Sequence, residues 1–327
     1  MPANLTPQYF EAEKRLREAK DPDDKIAALQ EMLAVMPRHK GTDKLHASLR
    51  SKIAKLTQEA ERKTATARRT GFYIRKEGAG QIVLTGPANT GKSQIMAMLT
   101  AAGPEVALYP YTTQTPLPGM MAYEDIQVQL VDTPPMGHRN VRLLLQNVLR
   151  VTDIVALVVD ASADPISEVE WTLEQLQECR IIPIGQPTPE GQSASVYGKR
   201  MLIIANKVDL PGASDNVRAL RDRYEPGMRV LAISASMGDG LARLPAELFK
   251  ALDVIRVYTK APGEKIELSE PVILPTGSTA GDAAEEVHKD LRKGLKHAVV
   301  WGSGKFEAQT VSRTHVLQDR DVIELHV

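Results

Sequence analysis

Cysteine is almost absent from this chain of 327 residues, in which Cys179 is the only one. A single cysteine forms no internal disulfide and supplies no thiolate cluster for zinc, so the sequence predicts a protein of a reducing compartment. An excess of one charge is also lacking, because 41 Lys and Arg residues balance 41 Asp and Glu residues. The chain as a whole is therefore no polycation, and any nucleic-acid-binding surface must be local.

Long apolar runs are missing as well. The longest, at residues 154–159, has the length of a β-strand, whereas a membrane-spanning helix needs about 20 apolar residues. The N-terminal sequence MPANLTPQYF is polar and lacks the apolar segment of a secretory signal. We therefore expect a cytoplasmic protein with no membrane partner. The apolar fraction of 43% and the length of the chain predict two or three globular domains.

Residues 1–70 have the apolar spacing of helices and form the first predicted domain. Two stripes separated by a short turn at residues 37–41 consist of Ile26, Leu29 and Leu33, then Leu45, Leu49, Ile53 and Leu56. This pattern predicts a helical hairpin. Residues 37–76 also hold 12 Lys and Arg residues but only 3 Asp and Glu residues, a local excess of nine positive charges. That excess fits either a solvated helix face or a surface that contacts RNA phosphates; no DNA partner is expected.

Residues 71–254 alternate apolar runs of strand length with helical stretches, which predicts an α/β domain with a mainly parallel sheet. The predicted strands are 81–85, 105–109, 126–132, 154–160, 201–206 and 229–234. Residues 255–327 change character, with short strand candidates at 255–259, 272–274, 297–301 and 322–327 around one helical run at 280–293. This third segment predicts a small α+β domain.

A phosphate-binding loop follows the first predicted strand. The sequence GPANTGKS matches GxxxxGK[ST] between a strand and a helix, and its residues are Gly86, Pro87, Ala88, Asn89, Thr90, Gly91, Lys92 and Ser93. Backbone N–H groups of such a loop point at the phosphates from a helix N-terminus. Lys92 supplies a cation for the outer phosphates, and Ser93 a hydroxyl ligand for Mg²⁺.

Guanine selection is predicted from two loops that follow later strands. In the sequence NKVD, Asp209 can accept hydrogen bonds from N1–H and the exocyclic amine of guanine, a donor pair that adenine lacks. Asn206 can bond the purine edge, and the stem of Lys207 can cover the ring. In the second loop, Ser234, Ala235 and Ser236, a backbone N–H can meet the guanine O6. The predicted ligands are therefore GTP and GDP.

Two further segments contain residues that could bind Mg²⁺ or contact the γ-phosphate. Asp132 ends an apolar strand and can hold Mg²⁺ through water. Upstream, the sequence YTTQTP contains Thr113, which we assign to closing over Mg²⁺ and the γ-phosphate, with Thr112 and Thr115 as alternatives. The predicted catalytic residues are Lys92, Thr113 and Asn89, and the predicted metal ligands are Ser93, Thr113 and Asp132.

The motifs GPANTGKS, YPYTTQTPLPG, VDTP, NKVD and ISAS resemble, in this order, those of the Obg/DRG family of GTPases. The tail VYTKAPGEK…HAVVWG…DVIELHV resembles a TGS domain, a β-grasp module. The resemblance implies a P-loop G domain, GTP hydrolysis with Mg²⁺ and often K⁺, and association with ribosomes or RNA through the basic helices and the TGS-like domain. It implies a K⁺ ligand at Asn89; the alternative is a side chain that only stabilises the loop.

The chain departs from the family pattern after Asp132. The third motif is usually DxxG, but here the glycine position holds Pro135, which has no N–H to donate to the γ-phosphate. The next residue, Met136, stands where many GTPases keep a glutamine that positions water. We expect Met136 or Gly137 to supply a donor if the loop is shifted, and His138 either to orient water or to be a plain surface residue.

The sequence supports two functional hypotheses. The first is a slow GTPase whose GTP state orders the Thr113 loop and sets affinity for a ribosomal or RNA partner. The second is a GTP- or alarmone-sensing adaptor that hardly hydrolyses, which Pro135 and Met136 favour. In the tail, Trp301 and His297 could stack on RNA bases, although a tryptophan in a small β domain more often belongs to the core.

Overall fold

The computed structural model divides the chain into two compact units, residues 1–71 and residues 72–327. In the first unit it describes Arg15, Leu29, residues 31–36, Leu49, Arg50 and Lys52; in the second it describes residues 72–100, 115–137, 139–187, 196–225, 227–263, 268, 270–304 and 306–327. No helix among these described residues is long and apolar enough to cross a membrane.

The described part of the first unit is helical, as the apolar stripes predict. Leu29 and Leu49, one from each predicted helix, are buried in the same small core together with Met32 and Met36. The turn at residues 37–41 and most of the basic segment lie outside the described residues.

The second unit begins with a seven-stranded sheet. Its strands are β1 (Gln81–Thr85), β2 (Leu117–Tyr123), β3 (Ile126–Asp132), β4 (Ile154–Asp160), β5 (Ile181–Pro183), β6 (Tyr197–Asn206) and β7 (Arg229–Ala232). The order is β2-β3-β1-β4-β6-β5, and β7 also pairs with β6. Every pairing is parallel except that of β2 with β3. The mainly parallel α/β sheet predicted from the sequence is confirmed.

Helices cover both faces of this sheet, because its central strands are apolar on both sides. The helices are α1 (Lys92–Leu99), α2 (Arg139–Val151), α3 (Pro165–Glu178), α4 (Ala213–Tyr224) and α5 (Leu244–Leu252). Val155 and Leu157 of β4 face a core formed with α2, α3 and α4, whereas Ile154 and Ala156 face a core formed with α1 and α5. The carboxyl ends of the strands therefore share one edge, where the predicted motifs follow them.

Strand β2 was not predicted, and it differs from its neighbours for a physical reason. Its sequence LPGMMAY contains Pro118 and Gly119, which are signals of turns. Both are tolerated here because β2 lies at the edge of the sheet among the described strands, with β3 as its strand partner. The predicted strand at 105–109 lies outside the described residues. Strand β6 starts at Tyr197, earlier than predicted, because its first residues pair with the short strand β5.

The last 74 residues of the second unit build a separate sheet of five strands in the order β11-β10-β12-β8-β9. They are β8 (Val254–Lys260), β9 (Val272–Pro275), β10 (His297–Trp301), β11 (Gln309–Val311) and β12 (Asp321–His326). The predicted helix at 280–293 is two helices, α6 (Ala280–Val287) and α7 (Lys289–Gly294), because His288 between them is extended. This arrangement is the predicted small α+β domain.

Candidate nucleotide site

The loop between β1 and α1 has the conformation that its glycines allow. Gly86 has φ +146°, and a Cβ there would overlap the carbonyl oxygen of Val158. Gly91 has φ +94°, and a Cβ there would overlap Nδ2 of Asn206. Only glycine fits both the backbone and the space at these two positions. The sequence GxxxxGK[ST] therefore fixes a loop that wraps back against β4 and β6.

Lys92, the first residue of α1, is buried under this loop. Its Nζ donates hydrogen bonds to the carbonyl oxygens of Gly86 at 3.2 Å and Pro87 at 2.5 Å. Burial lowers the pKa of Lys92 to about 8, although the carboxylates of Asp132 and Glu168 act in the opposite direction. A phosphate arriving at the loop would offer this ammonium group anionic partners in place of two neutral carbonyls.

Ser93 and Asp132 meet beside Lys92. Ser93 Oγ donates to Asp132 Oδ2 at 2.5 Å. Burial raises the pKa of Asp132, despite the hydrogen bond from Ser93 and the charge of Lys92. The other oxygen, Asp132 Oδ1, is buried and accepts no hydrogen bond from the described residues. A hydroxyl and an unsatisfied carboxylate oxygen are hard donors, so this pair fits Mg²⁺ when it arrives with the phosphates.

Asn206 joins the phosphate loop to both guanine loops. Its Nδ2 donates to the carbonyl oxygen of Thr90 at 2.9 Å, and its Oδ1 accepts from the Ala235 N–H at 2.9 Å. The side chain is 1% exposed. Both halves of its amide hold backbone groups of the protein, one N–H of the NH2 group is left over, and the contact with the purine edge stays a prediction. The sequence gives no sign of this bracing role, because both partners are backbone atoms.

The remaining residues of the guanine loops differ in which hydrogen-bonding groups they leave free to contact a base. Asp209 is exposed, and its carboxylate has no hydrogen-bond partner within the described ranges, so it is available to a base. The Ser234 N–H donates to Asp239 and the Ala235 N–H to Asn206, whereas no described residue accepts from the Ser236 N–H. Of these three amides, that of Ser236 is therefore available to the guanine O6.

Asp160 is a site residue that the sequence analysis missed. Its Oδ2 accepts from Lys207 Nζ at 2.5 Å, and its Oδ1 accepts from the N–H and hydroxyl of Ser162. Lys207 has φ +66°, a conformation that is strained for a lysine. The pairing of Asp160 with Asn206 across β4 and β6 places the carboxylate beside this lysine. The sequence did contain a signal for Asp160. It is an acid at the end of a buried strand, β4, which lies next to the strand that leads into NKVD.

Two models of known families match the chain. One described as a 50S ribosome-binding GTPase covers residues 81–189, and one described as the TGS domain covers residues 255–327. A GTP-binding protein of Methanocaldococcus jannaschii is 26% identical, with 93% of this chain and 92% of the relative covered. Developmentally regulated G-protein 1 of Arabidopsis thaliana is also 26% identical, with 92% and 90% covered.

Over nearly its full length the chain is similar to the developmentally regulated GTP-binding (DRG) proteins. The chain also shares its fold with the crystal structure of a GTP-binding protein from Pyrococcus horikoshii, at a TM-score of 0.52 and 18% identity. That likeness covers 75% of this chain and 99% of the other. The β1–β7 part of the second unit is thus a P-loop GTPase domain, and the β8–β12 part is a TGS domain.

The segment after Asp132 is firmly anchored. Met136 is fully buried, and its sulfur accepts a hydrogen bond from the Thr85 hydroxyl at 3.0 Å. Its carbonyl oxygen accepts from Arg142 at 3.0 Å, and the same guanidinium pairs with Glu178 of α3 at 2.7 Å. Met136 is therefore a core residue, and only Pro135 and Gly137 of this short segment are exposed.

Several of the residues predicted from the sequence carry no contact that tests their role. Thr113, Thr112 and His138 lie outside the described residues. Asn89 is exposed and has φ +63°. In the TGS domain, Trp301 is partly exposed, and Lys260 Nζ lies 5.0 Å from its ring centroid. Because Ala298 and Val300 take the core face of β10, Trp301 lies on the opposite face rather than in the core.

Proposed function

We propose that this protein binds GTP with Mg²⁺, hydrolyses it slowly to GDP and phosphate, and acts as a nucleotide-dependent switch on a ribosomal or RNA partner in the cytoplasm. The observation that carries the proposal is the Asn206 amide, which ties the phosphate loop at Thr90 to the guanine loop at Ala235. Such a link aligns a site for phosphates with a site for a base. Asp209 and the Ser236 amide then select guanine.

Slow hydrolysis is supported by the two residues that replace the usual water-positioning elements after Asp132. Pro135 offers no N–H, and Met136 is buried beneath the loop, so neither can hold the attacking water. Small GTPases without an activator turn over at rates on the order of 10⁻⁴ s⁻¹, and a positive charge supplied to the phosphates raises this greatly. We propose that K⁺ at Asn89, Thr113 and Lys92 provide that stabilisation here, with the partner adding to it.

A ribosomal or RNA partner is supported by charge and by family. The excess of nine positive charges in residues 37–76 suits a phosphate-rich surface. The family model over residues 81–189 bears the description of a ribosome-binding GTPase. We propose three functional parts: basic helices at 1–70, the GTPase domain at 71–254 and the TGS domain at 255–327.

Phosphate release from GTP tests the enzyme. It is measured with Mg²⁺, with K⁺ exchanged for Na⁺, and with and without ribosomes, in the wild type and in Lys92→Ala. We expect slow release that K⁺ or ribosomes accelerate and that Lys92→Ala abolishes. Equal release by wild type and Lys92→Ala under every condition would refute hydrolysis at this site, and equal affinity for ATP and GTP would refute guanine selection.

The second candidate function, a GTP- or alarmone-sensing adaptor, is favoured by the same anchored segment around Met136. Co-sedimentation with ribosomes in GDP and in a non-hydrolysable GTP analogue, at two salt concentrations, separates the two. Nucleotide-dependent pelleting without phosphate release supports the adaptor. Pelleting that depends on salt alone would exclude both forms of the switch and leave only non-specific attraction by the basic segment.

A further inference from the structure

The β2–β3 hairpin runs from the nucleotide site to the TGS domain. At one end Leu117 pairs with Asp132, the acid beside Ser93, and at the other end Tyr123 pairs with Ile126. The two strands hold seven consecutive pairs, so the ribbon is about 20 Å long. Residue 117 follows the threonine-containing segment that includes Thr113. The hairpin therefore joins the two elements proposed to sense Mg²⁺ and the γ-phosphate.

The turn of this hairpin is held by a side chain of the TGS domain. Arg256, on β8, donates to Asp125 Oδ1 at 2.7 Å and to the carboxylate of Glu124, both in the turn. The same guanidinium makes a two-point contact with Asp319 of the TGS domain, through Nε at 3.1 Å and Nη2 at 2.7 Å. Arg256 thus bridges carboxylates of both domains, although it is only 2% exposed.

Neighbouring side chains add to the contact between the β2–β3 turn and the TGS domain. The hydroxyl of Tyr258, also on β8, donates to Asp125 Oδ2, so both oxygens of Asp125 are bound by the TGS domain. The Arg256 guanidinium lies 5.7 Å from the ring centroid of Tyr123 and 5.0 Å from that of Phe249. These rings belong to the GTPase domain. Hydrogen bonds from Tyr258 and Arg256 lower the pKa of Asp125, although its burial acts against this.

This geometry couples a movement at the nucleotide site to a movement of the TGS domain. A flexible hinge between the domains would leave the two movements independent. A buried arginine that has lost a carboxylate partner is costly, so the turn and β8 must move together or not at all. A strand pair with continuous hydrogen bonds resists sliding, so a shift at Leu117 and Asp132 is carried to Tyr123 and the turn. A nucleotide that draws Asp132 inward would thereby pull on the TGS domain.

We propose that Arg256 is a positioning residue for the nucleotide site: with Tyr258 it fixes the β2–β3 turn to the TGS domain, and the hairpin couples the bound nucleotide to the position of that domain. By reciprocity, the TGS domain affects the preference of the site for GTP over GDP. This inference rests on the proposed function, because it requires a site that distinguishes the two nucleotides.

Nucleotide affinities of the full chain test the coupling. The affinities for GDP and for a non-hydrolysable GTP analogue, both with Mg²⁺, are compared in the wild type, Arg256→Gln and the milder Tyr258→Phe. A matched control is Arg200→Gln, which removes the 2.6 Å ion pair with Asp253 at the junction of the two domains and leaves the hairpin untouched. Coupling free energies between sites correspond to roughly 5- to 150-fold.

We expect Arg256→Gln to change the ratio of the two affinities by at least about fivefold, Tyr258→Phe to change it less, and Arg200→Gln to leave it as in the wild type. An unchanged ratio in folded Arg256→Gln would overturn the inference while leaving GTP binding intact. A wild type that binds neither nucleotide would instead overturn the proposed function.

Hydrogen exchange of the wild type gives a readout that needs no variant. The Arg320 N–H donates to the Arg256 carbonyl oxygen, so its protection reports the contact between β8 and the residues before β12. We expect the exchange of residues 319–322 to differ between GDP and the GTP analogue. Identical exchange in the two states would contradict the coupling even if Arg256→Gln failed to fold.

Discussion

Arg256 of the TGS domain and Asp125 of the GTPase domain form an ion pair of 2.7 Å, with the arginine almost fully buried. Removing a partner from a buried ion pair leaves uncompensated charge, and here it would leave Glu124, Asp125 and Asp319 facing one another. The pair therefore has a structural role in addition to its proposed role in coupling.

Arg256→Ala should lower the free energy of unfolding by about 3 kcal/mol. Chemical denaturation of the full chain measures this, with Arg218→Ala as the control. Arg218 pairs with Asp215 at 2.8 Å on an exposed helix surface, so its removal should cost less than about 1 kcal/mol. Equal losses in the two variants would show that the Arg256 pair behaves as an ordinary surface contact.

Nucleotide affinity should depend on pH through Lys92. Because burial holds the pKa of Lys92 at about 8 in the free protein, and phosphates favour the charged amine, binding above pH 8 requires uptake of a proton. GDP affinity should be constant below that pH and fall by up to about tenfold per unit above it. Titrations between pH 7 and 10 check this, and a flat profile would show that Lys92 is charged throughout.

The same lowered pKa has the opposite sign for stability without nucleotide. A depressed lysine pKa means that the unfolded chain binds more protons than the folded one between pH 8 and the usual lysine range. Lys92 therefore adds stability as the pH rises through that window, and this contribution is lost as the pH falls through about 8. In Lys92→Arg both trends should vanish, because arginine stays charged.

Gly91→Ala should abolish nucleotide binding. The new Cβ would overlap Asn206 Nδ2, which is the group that holds the loop at Thr90. Gly212→Ala is the matched control, since Gly212 has φ +80° but no atom within 4 Å of the added Cβ. The control should cost about 1 kcal/mol of stability from backbone strain and leave binding unchanged. Loss of binding in both variants would argue against a specific clash.

Met136→Leu should leave the rate of phosphate release unchanged, because Met136 packs in the core rather than beside the nucleotide. A volume-conserving swap costs less than about 1.5 kcal/mol, whereas Met136→Ala should cost about 2 to 5 kcal/mol through the cavity it leaves. Thermal unfolding and phosphate release separate the two effects. A large rate change in stable Met136→Leu would show that the side chain acts in catalysis.

Ser93→Ala should remove the gain in nucleotide affinity that Mg²⁺ provides, since the hydroxyl that faces Asp132 is lost. Binding measured in the presence of a chelator should stay as in the wild type. Ser167→Ala is a suitable comparison, because that hydroxyl also bonds an aspartate, Asp164, near the start of a helix but away from the phosphate loop. Retained Mg²⁺ dependence in Ser93→Ala would place the metal elsewhere.

The sequence predicted the phosphate loop well because its chemistry is local: glycines, a lysine and a hydroxyl act within eight residues. It did not predict the roles of Asn206 or Asp160, since their partners are backbone atoms or residues on other strands. Strand β2 was missed because Pro118 and Gly119 resemble a turn, and only its place at the sheet edge makes them acceptable. Motif position placed Met136 where many GTPases keep a glutamine, but it carried no information about which way the side chain faces.

The double engagement of the Asn206 amide has one more consequence. The same side chain braces the phosphate loop and the guanine loop. A movement of one loop therefore disturbs the hydrogen bond that holds the other. Displacing the exposed residues that follow Ser236, such as Met237, would disturb the Ala235 N–H bond to Asn206 and so affect the phosphate loop without any contact with the phosphates. The base and the phosphates of GDP would then be released together, and a change at the base loop would be enough to start the release.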